Sequence, residues 1–155
     1  MAVVGKGYVV ASEEGPVWDM EPGRPAAFKL MCEETGGKIA VFEEVVPPGG
    51  GTPLHIHRTS DEVIYVASGE FAFRLGDESK RVLGGSWVFI PLGSLHGWRN
   101  SGRENGRMFF IFTPGAGAQA FEEMRLHETP LPDIDPVKRD EIFARHGYEF
   151  VTWDW

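Results

Sequence analysis

One cysteine in 155 residues, Cys32, leaves no partner for an internal disulfide, which fits a reducing compartment, so a cytoplasmic protein is expected. No window approaches the eighteen or so consecutive apolar residues that a membrane span requires, and no membrane association is expected. Residues 1–11 carry one lysine, but Gly5, Gly7 and Tyr8 interrupt any apolar run, so the segment does not read as a signal peptide. Basic residues are in deficit: 15 Lys and Arg against 23 Asp and Glu give a formal charge of −8, with no basic stripe. Affinity for nucleic acid comes chiefly from clustered cations, so no nucleic-acid partner is expected. Internal repeats and low-complexity segments are absent too.

What is present is apolar and aromatic. Hydrophobic residues make up 42% of the chain, with 11 Phe and 5 Trp, enough for one globular domain with an aromatic core. Short runs of alternating or β-branched residues predict strands at 8–12, 27–32, 38–46, 54–57, 62–67, 70–75, 80–83, 86–90, 95–100 and 107–113, with 14–19 a loop or edge segment. Ser68-Gly69 reads as the turn of a hairpin joining 62–67 to 70–75. Many short strands with frequent turn signals indicate a sandwich or barrel. Past Pro114 the period changes. A helix is expected over 117–127, with Glu122-Glu123 on its solvated side, and a second one capped by Asp135, opened by Pro136 and stopped by Gly147. Residues 148–155 then add an edge strand or cap an opening. Cys32 reads as a small core side chain beside Leu30.

Chemistry concentrates between Gly49 and Asn100. In Leu54-His55-Ile56-His57 the two imidazoles are two residues apart and share a strand face, their Cα atoms roughly 6.5–7 Å apart. Glu62 lies at an odd offset from His57, so a turn must intervene, and Thr59-Ser60-Asp61 supplies it. Glu62 then shares the face of Ile64 and Val66 at the mouth of an apolar interior. His96 arrives after the turn Pro91-Leu92-Gly93, with Trp98 and Asn100 on its face. Three neutral imidazoles and one carboxylate leave a divalent ion with net positive charge and, in octahedral geometry, two open positions, a site suited to chemistry. His127 and His146 sit among charged residues in the helical tail and are not expected to be ligands or catalytic groups; Ile142, Phe143 and His146 are expected to face the barrel.

These residues fall in two spaced motifs. The first is Gly49, five residues, His55-x-His57, four residues, Glu62, six residues, Gly69; the second is Gly85, five residues, Pro91-x-Gly93, two residues, His96, three residues, Asn100. Both resemble the signature motifs of the cupins, and the Gly-rich turn at Gly115 with the helical tail resembles the small quercetin-dioxygenase-like members. The resemblance implies an all-β double-stranded β-helix, the jelly-roll cupin barrel, as a single domain over 1–155, with the barrel at about 26–113 and a short C-terminal helical tail at about 117–147. It implies one divalent transition metal per chain, Fe, Mn, Ni or Co with Zn as a further candidate, held by His55, His57, Glu62 and His96. The expected activity is a dioxygenase or other oxidoreductase acting on a small aromatic or enolic molecule, with Glu62 also serving as catalytic base. Two alternatives stay open: a non-oxidative metallocupin (isomerase, cyclase or lyase) and a small-molecule-binding cupin without catalysis. A homodimer is expected, since jelly rolls leave sheet edges that need cover. Trp98 is placed in the substrate pocket, with Phe71, Phe73 and Phe110 as further wall residues; Trp87, Phe89 and Phe112 are weighed for the same wall. For each of these phenylalanines, and for Trp87, the core reading is the favoured one. Gly49, Gly69, Gly85, Gly93 and Pro91 read as backbone devices.

Overall fold

The computed structural model describes residues 5–155; the first four residues of the N-terminal segment lie outside the described residues. Among the described residues, eleven strands form two antiparallel sheets. The six-stranded sheet has the order β1 (Val17–Glu21), β2 (Arg24–Leu30), β3 (Ala40–Val46), β10 (Gly106–Thr113), β5 (Asp61–Ser68), β8 (Ser86–Ile90). The five-stranded sheet has the order β11 (Tyr148–Thr152), β4 (Leu54–His57), β9 (His96–Asn100), β6 (Glu70–Leu75), β7 (Glu78–Leu83). The two face each other as a double-stranded β-helix with one aromatic core.

Alternation sets which side chains fill that core. Ala40, Phe42, Glu44 and Val46 of β3, Glu62, Ile64 and Val66 of β5, and Met108, Phe110 and Phe112 of β10 all point inward. Phe28, Phe42, Phe71, Phe73 and Phe112 are each less than 2% exposed or close to it. Full burial of each is worth about 2–3 kcal/mol, enough to carry a few polar residues into the same interior.

The residues of the expected hairpin do not pair with each other. β5 pairs with β8 and β10, whereas β6 pairs with β7 and β9. Gly69, at φ +98°, carries the chain from one sheet to the other, and a Cβ there would stand 2.7 Å from Gly106 Cα. This close crossing needs glycine at Gly69 itself. Residues 8–12 form no strand either. The edge beside β2 is taken by β1, and the 8–12 segment makes isolated bonds in place of a ladder, such as the one from Lys29 Nζ to Ser12 O (2.8 Å).

The expected helix over 117–127 is broken into a 3₁₀ turn (Gly115–Ala118), a short α1 (Gln119–Met124) and another 3₁₀ turn (Arg125–His127). Glu122 is no solvated carboxylate: it accepts the Cys32 N–H at 2.9 Å, and burial pushes its pKa up. Helix α2 (Pro136–Arg145) begins as expected, Asp135 Oδ1 accepting the Lys138 N–H at 3.0 Å. It buries Ile142 and Phe143, and Gly147 at φ +79° ends it. The chain then returns as β11 to the edge of β4. No helix among the described residues is long and apolar enough to cross a membrane.

Candidate metal centre

Strand register assembles the site. On β4, His55 stands opposite His96 of β9, and His57 opposite Tyr148 of β11. On β5, Glu62 stands opposite Phe112 of β10. The loops are tied to the same strands: the Gly93 N–H donates to His57 O (2.8 Å), and the Arg58 N–H to Gly147 O (3.0 Å). Between His57 and Glu62 the turn is held by Ser60, whose Oγ donates to Pro114 O (2.6 Å) and accepts the Gly117 N–H (2.7 Å). A Cβ on Gly117 would meet Phe112 at 2.5 Å and Ser60 Oγ at 2.8 Å, so that packing is closed.

All four expected ligands converge and all are buried. The ligating nitrogens of His55, His57 and His96 lie within 4.8 Å of one another. Glu62 sits against two of them, its Oε2 being 3.4 Å from His57 Nδ1 and 3.2 Å from His96 Nε2. Burial first, and then the neighbouring His96, pushes the His55 imidazole down from 6.5 to about 3. His57 is driven well below its ordinary value by burial, then by His55 and His96. Both are therefore neutral at pH 7, as ligands must be.

The proton positions follow from the neighbours. His55 Nδ1 donates to Pro53 O at 2.8 Å and His96 Nδ1 to Ser94 O at 2.9 Å, which in a neutral imidazole leaves Nε2 as the lone pair. His57 Nε2 then donates to His55 Nε2 at 3.0 Å, so His57 Nδ1 is a lone pair too. His57 Nδ1, His96 Nε2 and Glu62 Oε2 are all buried without a hydrogen-bond partner among the described residues. Three acceptors face one another with no donor between them. A buried group left this way costs about 1–3 kcal/mol, more when charged, and one cation satisfies all three. The residues present therefore fit a metal ion of the first-row divalent class.

The centre opens onto a cavity of about 460 Å³. His55, His57 and Glu62 line it; His96, 1% exposed, lies behind. Trp98 and Phe110 line it as expected, and so does Phe112. Phe71 and Phe73 do not: both are 0% exposed on β6, and Phe71 packs edge-on against Trp98 (6.0 Å) inside the core. They share the inward parity of the cavity residues but lie behind a large side chain. Trp87 and Phe89 point the other way, 66% and 62% exposed, because the inward positions of β8 are Val88 and Ile90. Asn100 holds a loop instead, donating to Val46 O (2.8 Å) and Glu104 O (2.9 Å). His146 pairs with Glu123 at 2.7 Å, away from the centre.

Arg24, Glu44 and Tyr148 are among the wall residues that escape a reading of the motifs alone. Tyr148 packs on His57 (ring centroids 4.7 Å) and donates to Gly117 O at 2.6 Å. Arg24 and Glu44 form a buried ion pair, Nε to Oε2 at 2.8 Å. Burial pushes the Glu44 carboxyl up, and the Arg24 guanidinium opposes it. Their signal was parity: Arg24 alternates with Ala26 and Phe28, and Glu44 with Phe42 and Val46, so opposite charges occupy inward positions on adjacent strands.

A family model for the cupin domain matches residues 42–112. Protein SchB of Streptomyces halstedii is 31% identical over 114 residues, 72% of this chain and 73% of that one. Polyketide synthase CurC of Streptomyces cyaneus is 31% identical over 128 residues, 79% of this chain and 81% of that one. Among solved structures, the polyketide cyclase RemF from Streptomyces resistomycificus matches with a TM-score of 0.59 at 20% identity, over 78% of this chain and 99% of its own, a likeness of fold.

Proposed function

We propose that this chain, which belongs to the cupin family, is a metal-dependent enzyme that binds a small aromatic or enolic molecule through an enolate or phenolate oxygen. One observation carries the reading: three buried, donorless acceptors from His57, His96 and Glu62 beside an aromatic-walled cavity. A divalent ion of Fe, Mn, Ni, Co or Zn held by His55, His57, Glu62 and His96 supplies positive charge that makes a bound hydroxyl more acidic. Glu62 lines the cavity and receives the hydroxyl proton, its carboxylate already within 3.4 Å of two ligand nitrogens. Phe112 and Tyr148 pack around His57 and exclude water from that proton transfer. Trp98 and Phe110 hold the ring of the substrate flat against the wall.

The first reading of the overall reaction is oxidative, a dioxygenase, since three imidazoles and one carboxylate leave a first-row ion with positions to spare. Likeness to a relative named as a polyketide synthase favours a second, non-oxidative reading, cyclisation or isomerisation of the same enolic class. The single buried Cys32 supports a cytoplasmic location. The exposed Trp87 and Phe89 on the outer face of β8 support a homodimer.

Metal content of protein purified without added metal or chelator, with His55→Ala as the control, comes first. About one ion per chain, lost in the variant, is the expected result. Turnover of flavonols and polyketide enols with oxygen uptake then supports the dioxygenase, and equal turnover without oxygen selects the second reading. Tight retention of ligand with no product makes the protein a binding module. Absence of metal both before and after reconstitution overturns the proposal.

A further inference from the structure

The cavity has a second polar end. Arg24, 4% exposed, reaches it with its Nε committed to Glu44 (2.8 Å) and its Nη1 to Gly51 O (3.1 Å) and Glu21 (3.4 Å). Its Nη2 has no hydrogen-bond partner among the described residues, yet it is not among the polar atoms sealed from solvent. A continuous aromatic wall joins this end to the metal centre. Arg24 lies over Trp98 (5.0 Å), Trp98 packs on Phe110 (5.5 Å), and Phe110 stacks on Phe42 (5.0 Å). Phe42 packs on Phe112 (5.9 Å), and Phe112 on His57 (5.5 Å). As a stabilising device the ion pair is poor, because a buried pair loses in desolvation much of what it gains in attraction, and apolar residues of the same shape hold a core equally well.

Resting on the metal-centre reading above, we infer that Arg24 is a specificity residue whose free Nη2 donates to a neutral carbonyl oxygen of the substrate. The substrate class is then a flat phenol or enol bearing a ketone at the end remote from the oxygen bound at the metal centre. Charge decides between a carbonyl and a carboxylate. Glu44 already neutralises Arg24, and Glu21 adds a second negative group, so an anion entering here gains no net attraction and meets Glu44 and Glu62 across the same cavity. A neutral acceptor takes the open N–H without that penalty.

Calorimetric binding to the zinc-loaded full chain tests this with three compounds of one shape: 6-acetyl-2-naphthol, 6-ethyl-2-naphthol and 6-hydroxy-2-naphthoate. We expect the acetyl compound to bind at least tenfold more tightly than the ethyl one, and more tightly than the carboxylate. In Arg24→Met/Glu44→Leu, whose fold is checked by its melting temperature, the acetyl-to-ethyl ratio falls to about one. In Glu44→Gln, which removes the close carboxylate and leaves Arg24 only its longer contact with Glu21 (3.4 Å), the carboxylate gains on the other two compounds and becomes the tightest of the three. Equal affinities for acetyl and ethyl in the native protein, a ratio that survives the double substitution, or no binding of any of the three overturns the inference. His55→Ala separates this from the metal reading: loss of the ion weakens all three naphthols in common, whereas the acetyl-to-ethyl ratio depends on Arg24. A ratio that persists while metal has no effect sinks the metal reading alone.

Discussion

Glu62→Gln is expected to stabilise the metal-free protein and to blunt its response to metal. In the native chain Glu62 Oε2 is 3.4 Å from His57 Nδ1 and 3.2 Å from His96 Nε2, and none of the three atoms has a hydrogen-bond partner among the described residues. A glutamine of the same shape places two N–H donors where the carboxylate offered none, and each new neutral hydrogen bond contributes about 1 kcal/mol. The gain is about 2 kcal/mol, which for a domain of this size raises the melting temperature by roughly 4–8 °C. Metal acts in the opposite order. An ion at a hundred times its Kd stabilises the native protein by about 2.7 kcal/mol, and the variant, having lost its charged ligand, responds with less than half of that. The assay is thermal melting of chelator-treated protein, repeated across a zinc or manganese titration. If the metal-free variant melts below the metal-free native protein, or if both respond equally to metal, then the three acceptors are not what makes the site demand a cation.

Gly117→Ala forces a methyl group to within 2.5 Å of the Phe112 ring and 2.8 Å of Ser60 Oγ, so it is expected to cost about 1–3 kcal/mol in denaturant unfolding and to weaken metal binding by disturbing the turn before Glu62. Glu123 is held at about 2 instead of 4.5 by its bonds to Arg145 and then His146. A depressed carboxylate contributes stability that is present above 4.5 and lost as pH falls toward 2, so its NMR titration midpoint should lie near 2 and rise in Arg145→Gln. Trp87→Glu with Phe89→Lys, on the exposed face of β8, should convert a homodimer to a species of 17.2 kDa in light scattering; a native protein already at that mass removes the dimer.

The candidate metal centre was legible in part because much of its geometry is local, while His96, brought in on a distant strand, was legible through the second motif. Two residues apart on a strand means one face, and a polar turn before Glu62 restores the parity that brings its carboxylate inward, so His55, His57 and Glu62 follow from spacing. The Asp135 cap and the Gly147 stop were equally plain, since capping depends on one side chain and one φ angle. Local pattern also assigned inward faces, yet it could not separate Trp98 and Phe110, which meet the cavity, from Phe71 and Phe73, which the same parity buries behind them.

Strand partnership is where local information ends. Ser68-Gly69 has the composition of a hairpin turn, but β5 pairs with β10 and β8, and the chain crosses at Gly69 to the other sheet instead. The 8–12 segment has strand composition but joins no ladder, and the tail, ambiguous in isolation, became both edge strand and cavity wall once β4 offered it a ladder. Arg24 and Glu44 lie 20 residues apart, and each looks like an ordinary surface charge until β2 and β3 pair in a register that buries both. The sequence by itself pointed to the candidate metal ligands and the strand faces through spacing along one chain, and to the jelly-roll class through the resemblance of its two motifs to those of the cupins. Tertiary structure alone decided which faces meet, and with them the shape and second polar end of the cavity, because hydrogen-bond ladders and apolar burial are settled between segments distant in the chain.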